Sequence, residues 1–485
     1  MKTSMFNFSS NSQIVKSSNS QIVKLSNSQI VKLSNSQIVK SSNKSILNVL
    51  CALITVVCML CSCSSDDKES PTEPQTYRNS LLVYIAAQNS LGYFDNQYTS
   101  ASKLDSAEIV QAMSELSSTE DNVFLFIDDA RKPRLYRLYR IASGTQRRTI
   151  ITKIYAWPTD VCSADPATLC QTLTRIATDY PSENYGLVLW SHGSGWVAST
   201  NVQNTMKSQK YRPFAFGVDV GPGGDLDDDT DAQGNMGVQM DISDLAKAVS
   251  NSGVHLNYIL FDACGMQNIE TAYELRNVTD YVIGSTTSTS AYGCYYINLL
   301  PKLMAYPFTQ QRAINIANQY FYDCALNPLL QEYYDNMGNV CSVIKTSELD
   351  NLAAATAQCV SKGITHRQTP SMDTVQHYLS TLYYDAPEDF DMGSAIHHLA
   401  GETLYQQWRN AADQCIIASN FSSKYIIAIV GGQYIYNTPT DLDHAVGVSM
   451  FVPRDLFEKS PYTNYNLQFR RTAWYSAAKW SLTGW

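Results

Sequence analysis

Charge is scarce in this sequence, and acids are absent from its start. Only 16% of the 485 residues are Asp, Glu, Lys or Arg, and the first 63 residues hold six lysines and no acid. The remainder carries 29 basic against 44 acidic residues, a formal charge of −15. A surface of that sign repels nucleic acid, and no basic patch interleaved with aromatics counters it. There is no HExxH, and no CxxC among the cysteines after Cys63, at 162, 170, 264, 294, 324, 341, 359 and 415. Their spacings match no zinc or knottin pattern, so in so large a chain they read as buried thiols. If Cys264 is free, seven remain, and an odd number cannot all pair. The stretch "SHGSG" (191–195) lacks the G-x-S-x-G elbow of a serine hydrolase.

What is present is apolar. At 44% apolar the chain has ample material for a sizeable core, and its length allows two or three domains. The N-terminus repeats "NSQIVK" at 11–16, 19–24, 27–32 and 35–40, a period too short for a solenoid and too polar to bury a core. It reads as a pre-sequence. Lys44 then precedes the apolar run Ile46–Leu60, too short for a comfortable membrane span and right for a signal peptide. Leu60-Cys61-Ser62-Cys63 resembles a bacterial lipobox, which makes Cys63 the expected lipidated residue. "SSDDKESPTEPQT" follows as a polar tether, and its acidic start resembles the export signal of surface lipoproteins in Gram-negative bacteria. The expected location is the bacterial outer membrane, lipid-anchored at the cell surface.

The expected organisation is a pre-sequence and signal over 1–63, a tether over 64–77, a catalytic domain over 78–300 and a mainly helical C-terminal subdomain over 301–485 with late-returning strands. "LLVYIAA" (81–87), "NVFLFIDD" (122–129), "YGLVLW" (185–190), "YILF" (258–261) and "YVIGS" (281–285) are apolar on both faces, as buried parallel strands are. Helical stripes lie between them. Ile109, Val110, Met113 and Leu116 share a face, and Leu169, Leu173 and Ile176 follow Asp165 and Pro166 as cap and first residue. "MDISDLAKAV" (240–249) repeats the device with Asp241 or Ser243. The alternation predicts an α/β layer fold. Residues 424–437 and 445–453 read as strands.

Two of these strands end in reactive residues. "YGLVLW" runs into Ser191-His192-Gly193, and "YILF" into Asp262-Ala263-Cys264-Gly265. Ligands of open α/β sheets sit beyond the carboxyl ends of strands, so neighbouring strands bring His192 and Cys264 into one crevice. An imidazole takes a thiol's proton and makes it a nucleophile. Met266, Ile269 and Tyr273 share a helical face, which predicts Cys264 at a helix N-terminus whose dipole lowers the thiol pKa. The N–H groups of Gly193 and Cys264 are the expected oxyanion hole.

"LVLWSHGSGW" followed by "ILFDACGMQNIETAYELRNVTDYVIGS" resembles the clostripain-like family of cysteine peptidases, as do "LLVYIAAQNSL", "MDISDLAKAV" and "VGVSMFVPRD". The resemblance spans roughly 78–485. It implies a caspase-like sandwich with a mainly parallel sheet, a catalytic dyad of His192 and Cys264, and a peptide or protein substrate. Relatives that cleave after arginine or lysine carry an acid in the loop after the strand that follows the cysteine. Here that loop, "GSTTSTSAYGCYY" (284–296), has none. A buried guanidinium without a carboxylate is strongly disfavoured, so cleavage after uncharged residues is expected, with Ser285, Thr286 and Tyr292 lining the pocket.

Other features weigh less. Asp225, Asp227 and Asp229 alternate as calcium ligands do, but no bidentate Glu follows, and no cofactor is expected. Lys207, Lys210 and Arg212 lie where related peptidases are cleaved on activation, and an exposed loop explains them equally well. His397-His398 has no acidic or cysteine partner at ligand spacing and reads as structural. The competing functions are an idle lipoprotein that binds a ligand in the same crevice, and a serine hydrolase using Ser191 or Ser194.

Overall fold

The computed structural model describes residues 76–485 except 94–99, 130–131, 198–214, 292, 328–336, 379–386, 431–432 and 460–464. In chain order the elements are β1 (Tyr77–Ala86), α1 (Ala101–Ala112), β2 (Asp121–Asp128), β3 (Arg134–Ser143), β4 (Gln146–Ala156), α2 (Pro166–Asp179), β5 (Ser182–Trp190), β6 (Phe216–Asp219) and β7 (Val238–Met240). Next come α3 (Ile242–Ser252), β8 (Leu256–Asp262), α4 (Ile269–Leu275), β9 (Thr279–Ser285), α5 (Tyr296–Leu303) and α6 (Gln310–Ala325). The C-terminal part adds β10 (Val340–Lys345), α7 (Leu349–Gly363), β11 (Asp389–Asp391), α8 (Met392–Ala400), α9 (Glu402–Cys415) and β12 (Ile416–Phe421). It ends with β13 (Tyr425–Val430), β14 (Gln433–Asn437), β15 (Ser449–Phe451), α10 (Tyr465–Phe469) and α11 (Ala473–Ala477).

A nine-stranded sheet in the order β12-β10-β9-β8-β5-β1-β2-β3-β4 organises these elements. The five strands from β9 to β2 are parallel, and antiparallel pairs extend the sheet at both flanks. The continuous apolar runs follow from burial on both faces. In β1, Leu82, Tyr84 and Ala86 face one core, packed by Leu169 of α2, Leu245 of α3 and Trp408 of α9. Leu81, Val83 and Ile85 face the other, packed by Ile109 of α1, Leu299 of α5 and Ile316 of α6. Period-2 side-chain alternation makes a strand apolar throughout when both faces are covered.

The predicted caps are partly realised. Asp165 accepts from the Ala167 N–H at 2.9 Å with Pro166 opening α2. Asp241 occupies the cap position of α3 but its side chain makes no capping hydrogen bond.

The C-terminal part is mainly helical, as expected, but residue 300 is no break. It lies inside α5, and β10 and β12 complete the sheet begun by the N-terminal strands. Pro74–Trp485 accordingly forms one compact unit. Of the late strands, 424–437 becomes the separate β13–β14 hairpin, and 445–453 contributes only β15, paired with β11.

Candidate active site

β5 and β8 are hydrogen-bonded parallel neighbours, and their register pairs Trp190 with Asp262. His192 and Cys264 therefore each lie two residues beyond the same rung, at the carboxyl edge of the sheet. The two loops touch. A Cβ at Gly193 would come within 2.8 Å of Cys264 O, 2.8 Å of Met266 Cγ and 2.9 Å of Ala263 Cβ, so only glycine lets them close to this distance. The histidine loop is held from both sides. Gly217 N donates to His192 O at 2.8 Å, and the Ser191 hydroxyl donates to Ala86 O at 2.6 Å. That bond and its burial remove Ser191 as a nucleophile.

The His192 ring meets two residues that the sequence did not point to. Its Nε2 is 2.9 Å from Ser90 Oγ and 3.6 Å from Asp229 Oδ2. Asp229 accepts from the Ser90 backbone N–H at 2.6 Å and from its hydroxyl at 3.2 Å. The carboxylate is buried, and its backbone takes a left-handed φ of 53° to reach inward. Carboxylate, hydroxyl and imidazole thus form a continuous chain.

In the same loop Asp225 Oδ1 accepts from the Asp227 N–H at 2.9 Å, a local turn, while Asp229 points to Ser90.

The Cys264 thiol contacts Thr289, from the loop after β9. The Thr289 N–H donates to Sγ at 3.2 Å, and its hydroxyl lies 3.5 Å away. Burial pushes the thiol pKa up, Thr289's N–H and hydroxyl pull it back, and Asp262 raises it. The expected dipole effect does not arise, because α4 starts at Ile269 with Asn268 as its cap. The backbone between is committed elsewhere. Gly265 N donates to Thr287 O at 3.1 Å, Gln267 N to Ser285 O at 3.0 Å, and Ser449 N to Gln267 O at 3.1 Å. These bonds hold the turn at Cys264–Gly265, where Gly265 takes a left-handed φ of 63°, against the loop after β9 and the segment that enters β15.

The expected pocket residues divide. Ser285 and Thr286 are fully buried; Ser285 Oγ bonds Asn339 and Thr287, and Thr286 Oγ1 bonds Val340 O, so they brace the loop from inside. Tyr292, Cys63, Lys207, Lys210 and Arg212 lie outside the described residues. Thr289, in the same stretch, is the residue that reaches the thiol. All eight described cysteines are free thiols. No described helix is long and apolar enough to cross a membrane.

A sequence model of the clostripain family matches residues 83–485. Among solved structures, a secreted C11 cysteine protease from Bacteroides thetaiotaomicron bound to an irreversible peptide inhibitor superposes with a TM-score of 0.64 at 26% identity, covering 83% of this chain and 99% of that one. An inactive zymogen C11 protease from Parabacteroides distasonis gives a TM-score of 0.64 at 24% identity, over 84% and 99% of the two chains. No curated protein gave a match.

Proposed function

The chain belongs to the clostripain family of cysteine peptidases, and from that premise we propose that Cys264 is its nucleophile and His192 its general base. The observation that carries this is the β5–β8 register, with both residues two positions past the Trp190–Asp262 rung. His192 takes the thiol proton through Nδ1, and the thiolate adds to the scissile carbonyl carbon. The N–H groups of Gly193 and Cys264 receive the oxyanion. His192 then gives its proton to the departing amine, leaving a thioester. The same imidazole deprotonates the water that hydrolyses the thioester, which releases the acid and restores the thiol. Ser90 and Asp229 act on this reaction through the ring they hold, as positioning residues. The pocket accepts uncharged residues before the scissile bond.

Alkylation with iodoacetamide tests the pair directly. One equivalent at Cys264 is expected to abolish peptide hydrolysis. His192→Ala slows that alkylation at least ~10-fold, because burial alone leaves little thiolate at neutral pH. Asp229→Asn slows it less, with the ring still present but less firmly oriented. Unchanged alkylation in His192→Ala would show that the imidazole does not activate the thiol.

We also propose that the mature chain begins at a lipidated Cys63 and is anchored to the outer membrane, facing the cell exterior. The support is the Lys44, Ile46–Leu60 and Cys63 order of charge, apolar run and small residues. Mass spectrometry of the membrane-extracted protein is expected to find a lipid-modified cysteine at the N-terminus. An intact "NSQIVK" segment in the mature protein would overturn the assignment.

A further inference from the structure

Away from the thiol, the corner between α8 and α9 gathers two histidines and a carboxylate. His397 lies in the last turn of α8, Gly401 turns the chain, and Glu402 opens α9. His397 Nε2 stands 3.1 Å from Glu402 Oε2. His444 arrives from the loop after β14, with its Nε2 3.8 Å from the same oxygen. The three ligating atoms all lie within 4.8 Å of one another. The sequence hid this cluster because its parts sit five and 47 positions from His397, outside any local ligand spacing.

The surroundings orient each of these groups. His444 Nδ1 is 2.6 Å from Asp441 Oδ1, which fixes the ring and directs Nε2 to the centre of the cluster. Gln406 Nε2 donates to Glu402 Oε1 at 2.7 Å and leaves Oε2 as the atom between the imidazoles. The Tyr405 ring stands edge-on to both histidines, at 5.2 and 5.0 Å between centroids, and its hydroxyl donates to His444 O at 3.0 Å. A Cβ at Gly393 would fall 2.0 Å from His444 O, so this glycine lets the loop approach. The two imidazoles stack at 3.6 Å with 7° between their planes.

We propose that His397, His444 and Glu402 bind a divalent first-row metal ion, zinc by preference, with water completing the coordination. Two imidazole nitrogens and one carboxylate oxygen form a zinc donor set, and tetrahedral bonds of about 2.0–2.1 Å place donor atoms roughly 3.3 Å apart. The spacings here are within reach of that geometry once the rings tilt out of parallel toward a common ion. The bound ion closes the 441–446 loop onto the α8–α9 corner. From there the chain runs through Val446 and Gly447, whose N–H groups bind the buried Asp391 carboxylate, to Ser449 against Gln267. The site serves as a clip on the fold and needs nothing from the peptidase chemistry.

The test uses the full chain carrying Cys264→Ala, which removes the active-site thiol as a competing ligand. Zn²⁺ titrated calorimetrically is expected to bind once per chain and to raise Tm by a few degrees at saturation. Co²⁺ is expected to give a tetrahedral visible spectrum with no thiolate charge-transfer band. His444→Ala weakens binding at least ~100-fold, and Asp441→Asn, which removes no ligand, weakens it ~10–100-fold. Glu402→Gln, at an exposed position, folds regardless and still loses affinity. Absence of saturable zinc binding overturns the proposal. So does affinity unchanged in Glu402→Gln and His444→Ala, or a thiolate band that assigns the ion to cysteine.

Discussion

Cys264→Ala is expected to lower kcat/KM for peptide hydrolysis by at least ~10⁴ while the chain stays folded, because removing a nucleophile that acts as one unit with its base removes nearly all of their joint effect. Stability is a separate matter. The residue is half-buried, and its sulfur hydrogen-bonds with Thr289. Losing one sulfur there costs on the order of 1 kcal/mol, small beside the stability of a domain. The backbone that positions residue 264 is held independently, through Gly265 N to Thr287 O and Gln267 N to Ser285 O. The measurement pairs hydrolysis of a peptide substrate with thermal unfolding of the same preparation. Retained activity in a folded Cys264→Ala protein would remove Cys264 from the reaction. Loss of activity with loss of folding would make its role structural.

The features legible in the sequence are those that neighbouring residues determine. β1, β2, β5, β8 and β9 are covered on both faces, so their apolar runs identify them without knowledge of their partners. The β3–β4 hairpin escaped because its residues look amphipathic and basic. Arg137 is buried there because groups mostly from other elements receive it: Asn122 Oδ1 at 2.8 Å, Tyr77 Oη at 2.8 Å and the Tyr180 ring at 4.3 Å, with the Tyr139 ring of its own strand at 4.2 Å. The start of α4 has a local cap, Asn268 Oδ1 accepting from the Thr271 N–H at 3.0 Å, and β15 adds to it from further away: Asn268 bridges Ser449, and the Phe451 N–H donates to the Glu270 carboxyl at 2.9 Å. His192 and Cys264 were legible as strand-end residues. Asp229 was visible as an acid but not as a partner of His192, since Ser90 joins them from 139 positions before Asp229 and 102 before His192.

Substrates with Ala, Ser or a mid-sized apolar residue before the scissile bond are expected to exceed arginine or lysine substrates by at least ~100-fold in kcat/KM. An unpartnered guanidinium in the pocket costs several kcal/mol, and each 1.36 kcal/mol is a factor of ten in rate. An apolar side chain instead gains roughly 25 cal/mol for each Å² it removes from water. The loop from 284 to 296 contains no Asp or Glu. Glu108 Oε2 accepts from the Tyr296 N–H of this loop at 2.9 Å, and two acids beneath the loop are likewise engaged. Asp262 Oδ2 accepts from Tyr296 Oη at 2.9 Å, and Asp105 Oδ2 from Trp190 Nε1 at 2.5 Å. Burial pushes both carboxyls up, Asp105 well above the ordinary carboxylate range, which disfavours the charged form that pairs with arginine. Asp229 is committed to Ser90 and lies beside His192. A peptide library varied only at the position before the cleaved bond makes the measurement. Preference for arginine or lysine by a hundredfold would require a carboxylate from another segment. The exposed Asp227 and Asp228 are the first residues to change to Asn in that event, because their loop carries the acid that reaches His192.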